Sequence, residues 1–514
     1  MSPATSSKTN TARYLVALTV IPLALSTACG SELPTSEAMP EEITPAHLPA
    51  VRKDESNSLL PTYDAVLHAA DGTQHAWFGA DVALDGETAL IAASGGAYVF
   101  VREELGWTEQ AHFVSDDPEE SGFGAGIAIQ GDTALVGAAI WYVDQPEKRN
   151  ATHVFVRDGV TWTKMTTLRA SDGTNADYFG AAVSLSGKTA LIGAPDARIG
   201  ATEGAGAAYV FVEEGGMWKE QAKLVASDSA LSGWFGTSVA LDGDTALVGA
   251  WTEAPKGAAY VFEREGATWT QTAKLVPSDG EQWMGFGVDV ALDGDRALIA
   301  AGNTVPGAGP GSAYIFERSG GTWVEKAQLL PKTPWPPHAH VESVALDGDT
   351  AIVALKGLLG ETAVGEGAAR VFQQIGDAWV QKARLEPQIP APGSWFGSSC
   401  ALSGNVALIG AQLQTIDAIE EKGAAHAFEL VTETGDACAT GDDCPSGVCV
   451  DGICCGAEGC PEVDGTGGSG GQGADVASAE AGCQCGIDNT SASSTLHHVA
   501  GLLLLGLLGL RRKR

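Results

Sequence analysis

Basic residues are scarce in this chain. Its 514 residues include 30 Lys and Arg against 64 Asp and Glu, which gives a formal net charge of −34. Binding to nucleic acid requires a basic surface that neutralises phosphates, so this deficit argues against nucleic acid as a partner. It also argues against docking onto anionic lipid through a polybasic face. The acidic balance instead predicts a soluble, self-repelling extracellular surface.

Long apolar runs are lacking, and the short ones lie near the two ends. Lys8 and Arg13 precede the apolar stretch "YLVALTVIPLALSTA", which predicts a secretory signal over residues 1–28. The small residues before Cys29 resemble a bacterial lipobox. That resemblance implies that Cys29 is the lipidated first residue of an exported protein, and an ordinary signal peptide is the alternative. Residues 29–61 are rich in Pro, Glu, Ser and Thr and are expected to be a disordered linker.

The C-terminal segment 483–514 has the organisation of a targeting signal. Its apolar run Val499–Leu510 is short for a membrane span, which needs about 20 residues, and a basic cluster follows it. With Cys483 and Cys485 ahead of a polar spacer, the segment resembles the myxobacterial C-terminal sorting tail. The resemblance implies display at the cell surface. A marginal membrane anchor is the alternative, and in both cases we expect this end to meet a membrane.

A Phe-Gly pair recurs along the chain, and an alternating apolar segment and a tight turn follow each copy. The spacing is 45 to 56 residues, which is the range of propeller repeats. A degenerate copy has His340-Val341 in place of the pair but keeps the Asp347-Gly348 turn. The six intact pairs begin at Phe78, Phe123, Phe179, Phe235, Phe286 and Phe396. The chain therefore contains seven units.

Each unit contains four candidate strands. In the fourth unit these are "GTSVALDG", "TALVGA", "GAAYVFER" and "WTQTAKLVPSD", joined by Gly-containing turns. Four antiparallel strands repeated seven times predict an all-β, seven-bladed β-propeller over residues 62–431. The last unit lacks its fourth strand, and "YDAVLHAADG" near the start matches the missing segment. We therefore expect this N-terminal strand to complete the last blade, with residues 62 and 431 close together.

The units resemble the FG-GAP repeats of integrin α-subunit propellers. The resemblance is carried by Phe-Gly, by "LVGA" or "LIGAP", and by "AAYVF". It implies a seven-bladed propeller used for adhesion and protein recognition.

Propellers of the integrin type often carry a calcium loop, but here the corresponding connection is the short hairpin "LDGDT". We therefore expect no cofactor. The remaining candidate for calcium is the loop "SDGTNADYFG", in which Asp172, Asn175 and Asp177 could supply oxygen ligands. Alternatively, the acids at this loop position accept hydrogen bonds from their own backbone in Asx turns. That set comprises Asp71, Asp172, Asp228 and Asp279.

The best candidates for a binding surface are aromatic residues outside the repeat pattern. Trp141, Tyr142 and Trp251 fall in variable loops after the second strand of a unit, where binding residues commonly lie. The Phe-Gly aromatics and the repeated tryptophans are instead expected to pack in the core.

Six cysteines crowd the segment 432–462, which follows the propeller. An even number in an exported chain predicts disulfides, in any of fifteen pairings, with zinc as the rival. The six are Cys438, Cys444, Cys449, Cys454, Cys455 and Cys460. Residues 463–482 are Gly-rich and predict a flexible linker.

These features predict a non-enzymatic recognition or adhesion protein of the cell envelope, anchored through its termini, with an extracellular protein or glycan as ligand. A propeller hydrolase or lyase acting on polysaccharide is one alternative. It would require reactive groups at the inner strands, where only Asp81 and Asp289 interrupt Gly, Ala, Ser, Thr and Val in the intact units. The chain also lacks a His-Glu-x-x-His helix and a phosphate loop. A structural envelope scaffold is the other alternative.

Overall fold

The computed structural model describes eleven ranges of the propeller region and two short strands beyond it. The ranges are 59–72, 74–139, 150–174, 176–228, 231–253, 255–279, 285–302, 311–330, 339–357, 367–387 and 393–432, with 449–450 and 453–454. Their regular structure is entirely β. Within these ranges, no helix is long and apolar enough to cross a membrane.

Seven four-stranded antiparallel sheets follow one another along the chain. Blade 1 contains β2 (Val82–Asp85), β3 (Thr88–Ala93), β4 (Gly96–Glu103) and β5 (Gly106–Val114). Blade 2 contains β6 (Phe123–Gln130), β7 (Thr133–Ala138), β8 (Ala151–Asp158) and β9 (Thr161–Leu168). Blade 3 contains β10 (Val183–Ser186), β11 (Thr189–Ala194), β12 (Ala207–Glu214) and β13 (Met217–Leu224). Blade 4 contains β14 (Val239–Asp242), β15 (Thr245–Ala250), β16 (Ala258–Glu265) and β17 (Thr268–Leu275).

The remaining blades follow the same order, except that the last one is assembled from both ends of the propeller. Blade 5 contains β18 (Phe286–Asp293), β19 (Arg296–Ala301), β20 (Ser312–Ser319) and β21 (Thr322–Leu329). Blade 6 contains β22 (Ala339–Asp347), β23 (Thr350–Gly357), β24 (Ala368–Ile375) and β25 (Ala378–Leu385). Blade 7 contains β26 (Phe396–Ser403), β27 (Val406–Ala411), β28 (Ala424–Thr432) and, as its outer strand, β1 (Leu59–Leu67).

The N-terminal strand closes the ring as the sequence predicts. Strand β1 pairs antiparallel with β28, so that Leu60 lies opposite Val431 and Thr62 lies opposite Glu429. The strands extend three residues before and one residue beyond the expected limits of 62 and 431. The seven-bladed, all-β architecture is therefore confirmed.

The core lies between neighbouring blades. Second strands such as β15 are apolar and buried along their whole length, because a sheet faces them on both sides. Leu247 and Val261 of blade 4 pack in one cluster with Phe286 and Phe316 of blade 5. One blade cannot bury both of its faces alone, which explains why the same pattern is repeated around the ring.

The first strands are shorter than predicted in three blades. Strands β2, β10 and β14 have four residues, whereas the pattern "GTSVALDG" predicts eight. Where the strand starts at the phenylalanine, Phe286 pairs with Ala301 but Val290 already pairs with Ile299. From Phe286 to Val290 the first strand moves on by four residues, whereas its partner moves on by only two, from Ala301 to Ile299. The glycine after the phenylalanine has a positive φ of 87 to 95°, which lies outside extended strand geometry.

A closed ring of hydrogen bonds joins the turns between first and second strands. In each turn a glycine with φ of 53 to 57° donates its N–H to the residue before the corresponding glycine of the preceding blade, over 2.5 to 3.0 Å. The donors are Gly131, Gly187, Gly243, Gly294, Gly348, Gly404 and Gly86, and their acceptors are Asp85, Gln130, Ser186, Asp242, Asp293, Asp347 and Ser403. The bond from Gly86 to Ser403 joins blade 1 to blade 7.

The strand directions give the ring two different faces. The hairpin face carries the turns between first and second strands and between third and fourth strands. The loop face carries the connections between second and third strands and those from one blade to the next. Leu59 lies opposite Thr432 at the hairpin-face end of blade 7, so the chain enters and leaves the propeller there.

A two-stranded hairpin is the described part of the cysteine-rich segment. Strands β29 (Cys449–Val450) and β30 (Ile453–Cys454) pair so that Cys449 lies opposite Cys454 in the backbone register. The other four cysteines of the expected disulfide segment lie outside the described residues, as do Cys29, Cys483 and Cys485. The predicted signal, the tail and the linkers lie there as well, except that residues 59–61 of the expected N-terminal linker belong to β1.

Candidate functional site

Of the three predicted binding aromatics, the structure describes one. Trp251 follows β15 directly, on the loop face. It is half-buried and packs edge-to-face against Trp234, with the ring centroids 5.5 Å apart. Trp141 and Tyr142 lie outside the described residues. The position of Trp251 on a loop is therefore as expected, although its neighbour covers part of its ring.

The described acids of the calcium candidate already have protein donors. Asp172 accepts hydrogen bonds from the Tyr209 hydroxyl and from Lys223 Nζ, both over 2.8 Å. The lysine lowers the pKa of that carboxyl. Asp177 is buried and accepts from the backbone N–H and the hydroxyl of Thr174, over 2.8 and 2.5 Å. Asn175 lies outside the described residues. Among the described residues, no three His, Cys, Asp or Glu side chains form a group that could hold a metal ion. Calcium binding at this loop stays a prediction.

A hydrogen bond between a tyrosine and an aspartate recurs in four blades and was not predicted. The tyrosine of "AYVF" or "AYIF" on the third strand donates its hydroxyl to the acid at the start of the loop that precedes Phe-Gly, over 2.8 to 2.9 Å. The pairs are Tyr98–Asp71, Tyr209–Asp172, Tyr260–Asp228 and Tyr314–Asp279. These acids therefore bond across to the third strand, and the Asx turns expected at the same acids stay a prediction. The sequence signal is that the tyrosine and the acid occur in the same units.

The other three blades place a different polar residue at the position of that tyrosine. In blade 2 His153 is buried beside Glu120, with Nε2 and Oε2 2.7 Å apart, and burial lowers the pKa of His153. In blade 7 the ring nitrogens of His426 lie 3.0 Å from the Tyr63 hydroxyl and 2.6 Å from Gln414 Oε1. Burial lowers the pKa of His426 to about 4. Blade 6 has the buried Arg370 there.

The two acids of the inner strands are held by the backbone. Asp81 accepts from the N–H groups of Val82 and Ile127, over 2.9 and 3.1 Å. Asp289 accepts from Val290 and from Val344, over 2.9 and 2.8 Å. Both are partly exposed toward the axis yet enclosed by protein, and this burial raises their pKa values to about 7 and about 6. Each acid therefore joins its own blade to the next one.

Backbone strain among the described residues is concentrated on the loop face. Nine non-glycine residues have left-handed φ angles of 50 to 63°, and all nine lie in loop-face connections. They are His75, Trp77, Tyr178, Ser232, Trp234, Trp395, Asp417, Ala418 and Glu421. Such conformations cost on the order of 1–3 kcal/mol each and cluster at functional sites.

Four of these strained residues are aromatic and directly precede a Phe-Gly pair. They are Trp77, Tyr178, Trp234 and Trp395. Blades 2 and 5 have Gly122 and Gly285 at the same position, with φ of 68 and 66°. Glycine adopts this conformation without strain. Four blades therefore place an aromatic side chain on the loop face where glycine would be the less strained residue.

Five segments of the chain match the family described as FG-GAP repeat. They are residues 62–100, 162–211, 218–262, 269–316 and 379–428. These five segments are therefore FG-GAP repeats by similarity, and they lie within a seven-bladed β-propeller. Among curated proteins, none matches this sequence.

One solved structure to which this chain has some similarity is described as "Crystal Structure of Mitotic Checkpoint Complex". The similarity has a TM-score of 0.45 and 11% sequence identity, and it covers 77% of this chain and 99% of that chain. No conclusion about function follows from this likeness.

Proposed function

We propose that this protein is a non-enzymatic recognition or adhesion protein of the cell surface, and that its loop face binds an extracellular protein or glycan. The supporting observation is the confinement of the described left-handed non-glycine residues to that face. A binding surface explains why the chain keeps side chains at positions that favour glycine. The FG-GAP repeats agree with a role in ligand recognition.

The path of the chain agrees with display of the loop face. Leu59 and Thr432 lie opposite each other at the hairpin-face end of blade 7. A lipid before Leu59, or an anchor after Thr432, would attach the propeller from the hairpin face. In either case the loop face points away from the attachment and is available to a ligand.

The hydrogen bonds of the inner strands support recognition, although the raised pKa values of Asp81 and Asp289 would also suit an acid–base catalyst. Asp81 and Asp289 are the acids that an enzyme of this fold would use at its axis, and both accept two backbone hydrogen bonds. The Cys400 thiol on the inner strand β26 is buried, and burial raises its pKa well above the usual range, which disfavours the nucleophilic thiolate.

The proposal is tested with the full chain and two double variants. Trp234→Ala with Trp251→Ala changes the loop face, and Leu105→Ser with Val160→Ser changes exposed residues of the hairpin face. Binding is measured to immobilised extracellular proteins and glycans. We expect wild-type binding to a panel member, at least tenfold weaker in the loop-face variant and unchanged in the hairpin-face variant. Equal loss in both variants, or turnover of a panel polysaccharide by the wild-type protein, would overturn the proposal.

A further inference from the structure

Two junctions between neighbouring blades have loops of the same length and the same pattern of backbone hydrogen bonds. In each, a tryptophan before Phe-Gly donates its backbone N–H to the loop that follows the second strand of the preceding blade. At the junction of blades 3 and 4, Trp234 donates to Gly204 over 3.1 Å. At the junction of blades 7 and 1, Trp77 donates to Glu421 over 3.3 Å. The two junctions can therefore be compared position by position.

The two loops differ at their left-handed positions. The blade 3 loop uses Gly200 and Gly204, both with φ of 60°. The blade 7 loop has Asp417 and Glu421 there, with φ of 53 and 52°. Its Ala418 is also left-handed, with φ of 62°, unlike Ala201 of the blade 3 loop. A side chain in this conformation costs about 1–2 kcal/mol, whereas glycine has no such cost. Since the same chain contains the strain-free version of the loop, the side chains in blade 7 need another explanation.

The Glu421 side chain organises an exposed aromatic residue. Its Oε2 lies 2.6 Å from Nδ1 of His75 and accepts a hydrogen bond from Nε1 of Trp77 over 3.2 Å. The bond with His75 lowers the pKa of Glu421, so the carboxylate is ionised at neutral pH. The side chains of His75 and Glu421 are 56% and 38% exposed, and Trp77 is 44% exposed. The carboxylate thus lies at the edge of the indole ring, and much of the tryptophan is accessible to solvent.

An exposed indole with polar side chains at its edge is suited to a sugar ring. The apolar side of a pyranose can stack on the indole, while its hydroxyl groups bond to the carboxylate and the imidazole. Glu420 adds negative charge to the same loops, Asp417 is paired with Lys422 over 3.6 Å, and the whole chain carries a net charge of −34. An acidic sugar would be repelled here, so charge favours a neutral one.

We propose that Trp77, Glu421 and His75 form a binding site for a neutral hexopyranose unit of a glycan at the junction of blades 7 and 1. This inference rests on the proposed function, because it assigns a ligand class to the loop face. The junction of blades 3 and 4 is not an equivalent site. There Trp251 packs against Trp234, and Gly204 has no carboxylate to orient the ring.

The test uses the full chain and isothermal titration with gluco-, manno- and galacto-oligosaccharides, with hyaluronan as the acidic comparison. The variants are Trp77→Ala and Glu421→Gly, and Leu105→Ser on the hairpin face is the matched control. We expect one neutral oligosaccharide to bind, at least tenfold more weakly in both site variants and unchanged in the control. Because Glu421→Gly restores the residue of the blade 3 loop, its thermal midpoint should be equal to or above that of the wild type.

Each contrary result has a definite meaning. A thermal midpoint of Glu421→Gly several degrees below the wild type would show that the carboxylate is structural, and it would overturn the site. Preference for hyaluronan, binding that both site variants retain, or no binding of any neutral oligosaccharide would also overturn it. If one of these results is obtained but Trp234→Ala with Trp251→Ala abolishes binding to another panel member, the sugar site fails while the proposed function stands.

Discussion

At the scale of single residues, the tyrosine–aspartate pairs tie the loop-face connection before Phe-Gly to its own blade in four of the seven blades. The tyrosine comes from the third strand and the acid from the loop that leads into the same blade. In blade 4 the Tyr260 hydroxyl donates to Asp228, and Lys274 pairs with the other oxygen of that carboxylate. A hydrogen bond to a charged acceptor is worth about 1.5–3 kcal/mol. These pairs therefore help to position the loops.

Removing one such hydroxyl should destabilise the propeller without changing its packing. We expect Tyr260→Phe to lower the free energy of unfolding by about 1–2 kcal/mol, because Asp228 loses a donor while the ring stays in place. Urea unfolding followed by tryptophan fluorescence measures the change. Tyr314→Phe in blade 5 is the matched variant, and the two losses should add because the pairs lie in separate blades. No loss in either variant would contradict a stabilising role.

The repeated tryptophans allow a test in which a substitution should raise the free energy of unfolding. Trp162 and Trp269 donate Nε1 to Gln110 and Gln221 of the preceding blade, over 2.8 and 2.9 Å. These glutamines stand three residues after Trp107 and Trp218. The corresponding residue before Trp323 is Thr272, and Nε1 of Trp323 is buried without a hydrogen-bond partner among the described residues. An unpaired buried donor is costly.

Supplying the missing acceptor should therefore stabilise the protein. We expect Thr272→Gln to raise the free energy of unfolding by about 1 kcal/mol, since its amide oxygen can accept from Trp323. The control is Thr272→Leu, which adds bulk but no acceptor. Thermal unfolding of the three proteins is the measurement, and an equal gain in both variants would assign the effect to packing instead.

At the scale of the element, the closing strand β1 carries an acid-sensitive contact. His426 of β28 lies between the Tyr63 hydroxyl of β1 and Gln414, and its pKa is lowered to about 4 from an ordinary value of 6.5. The unfolded chain thus binds a proton at higher pH than the folded one. The stability that neutral His426 contributes is complete above pH 6.5, falls as the pH drops from 6.5 to 4, and is absent below that.

Replacing this histidine should flatten the pH dependence. We expect wild type to lose up to roughly 3 kcal/mol more stability than His426→Phe between pH 7 and pH 4, because the variant has no imidazole to protonate. Urea unfolding at several pH values gives both curves. His153, whose pKa burial also lowers, remains in both proteins and leaves a common slope that cancels in the difference. Parallel curves would refute the role of His426.

The sequence predicts the strands and turns well because the same pattern recurs in seven units. The Gly turns, the buried phenylalanines and the closing strand all recur or complete a recurrence, so errors in one unit are corrected by the others. The short first strands were missed because a positive φ after Phe78 or Phe235 cannot be read from alternation alone. The candidate site was missed for the opposite reason. Glu421 and Trp77 meet at one junction only, and no sequence pattern marks a glutamate as left-handed.

At the scale of the whole molecule, closure is distributed around the ring. Strand β1 joins the two ends of the propeller in blade 7, and the turn bond from Gly86 to Ser403 joins blade 7 to blade 1. The turn bonds recur at all seven junctions between blades. If the chain is opened at another blade, the choice of blade should therefore affect stability less than whether an outer or an inner strand then closes the ring.

A circular permutant tests that conclusion. Since Leu59 and Thr432 are paired, a short Gly/Ser linker can join them as a hairpin turn, and the chain can be opened between Glu104 and Leu105 in the hairpin-face turn of blade 1. Strand β5 then becomes the N-terminal closing strand, in the role that β1 has now. We expect this permutant of residues 59–432 to fold, with a thermal midpoint within about 5 °C of the unpermuted segment, because it exposes no new sheet edge.

The informative comparison is a second permutant, opened between Gly86 and Glu87. It frees the end of an inner strand and breaks the turn that supplies the bond to Ser403. We expect its midpoint to lie well below that of the first permutant, because the cut falls in the closed ring of turns and not in the outer strand. Circular dichroism and gel filtration establish folding, and calorimetry gives the midpoints. If the two permutants were equally stable, the outer strand would have no special place in closure; if the first failed to fold, the β1–β28 pairing could not be replaced by an equivalent pair in another blade.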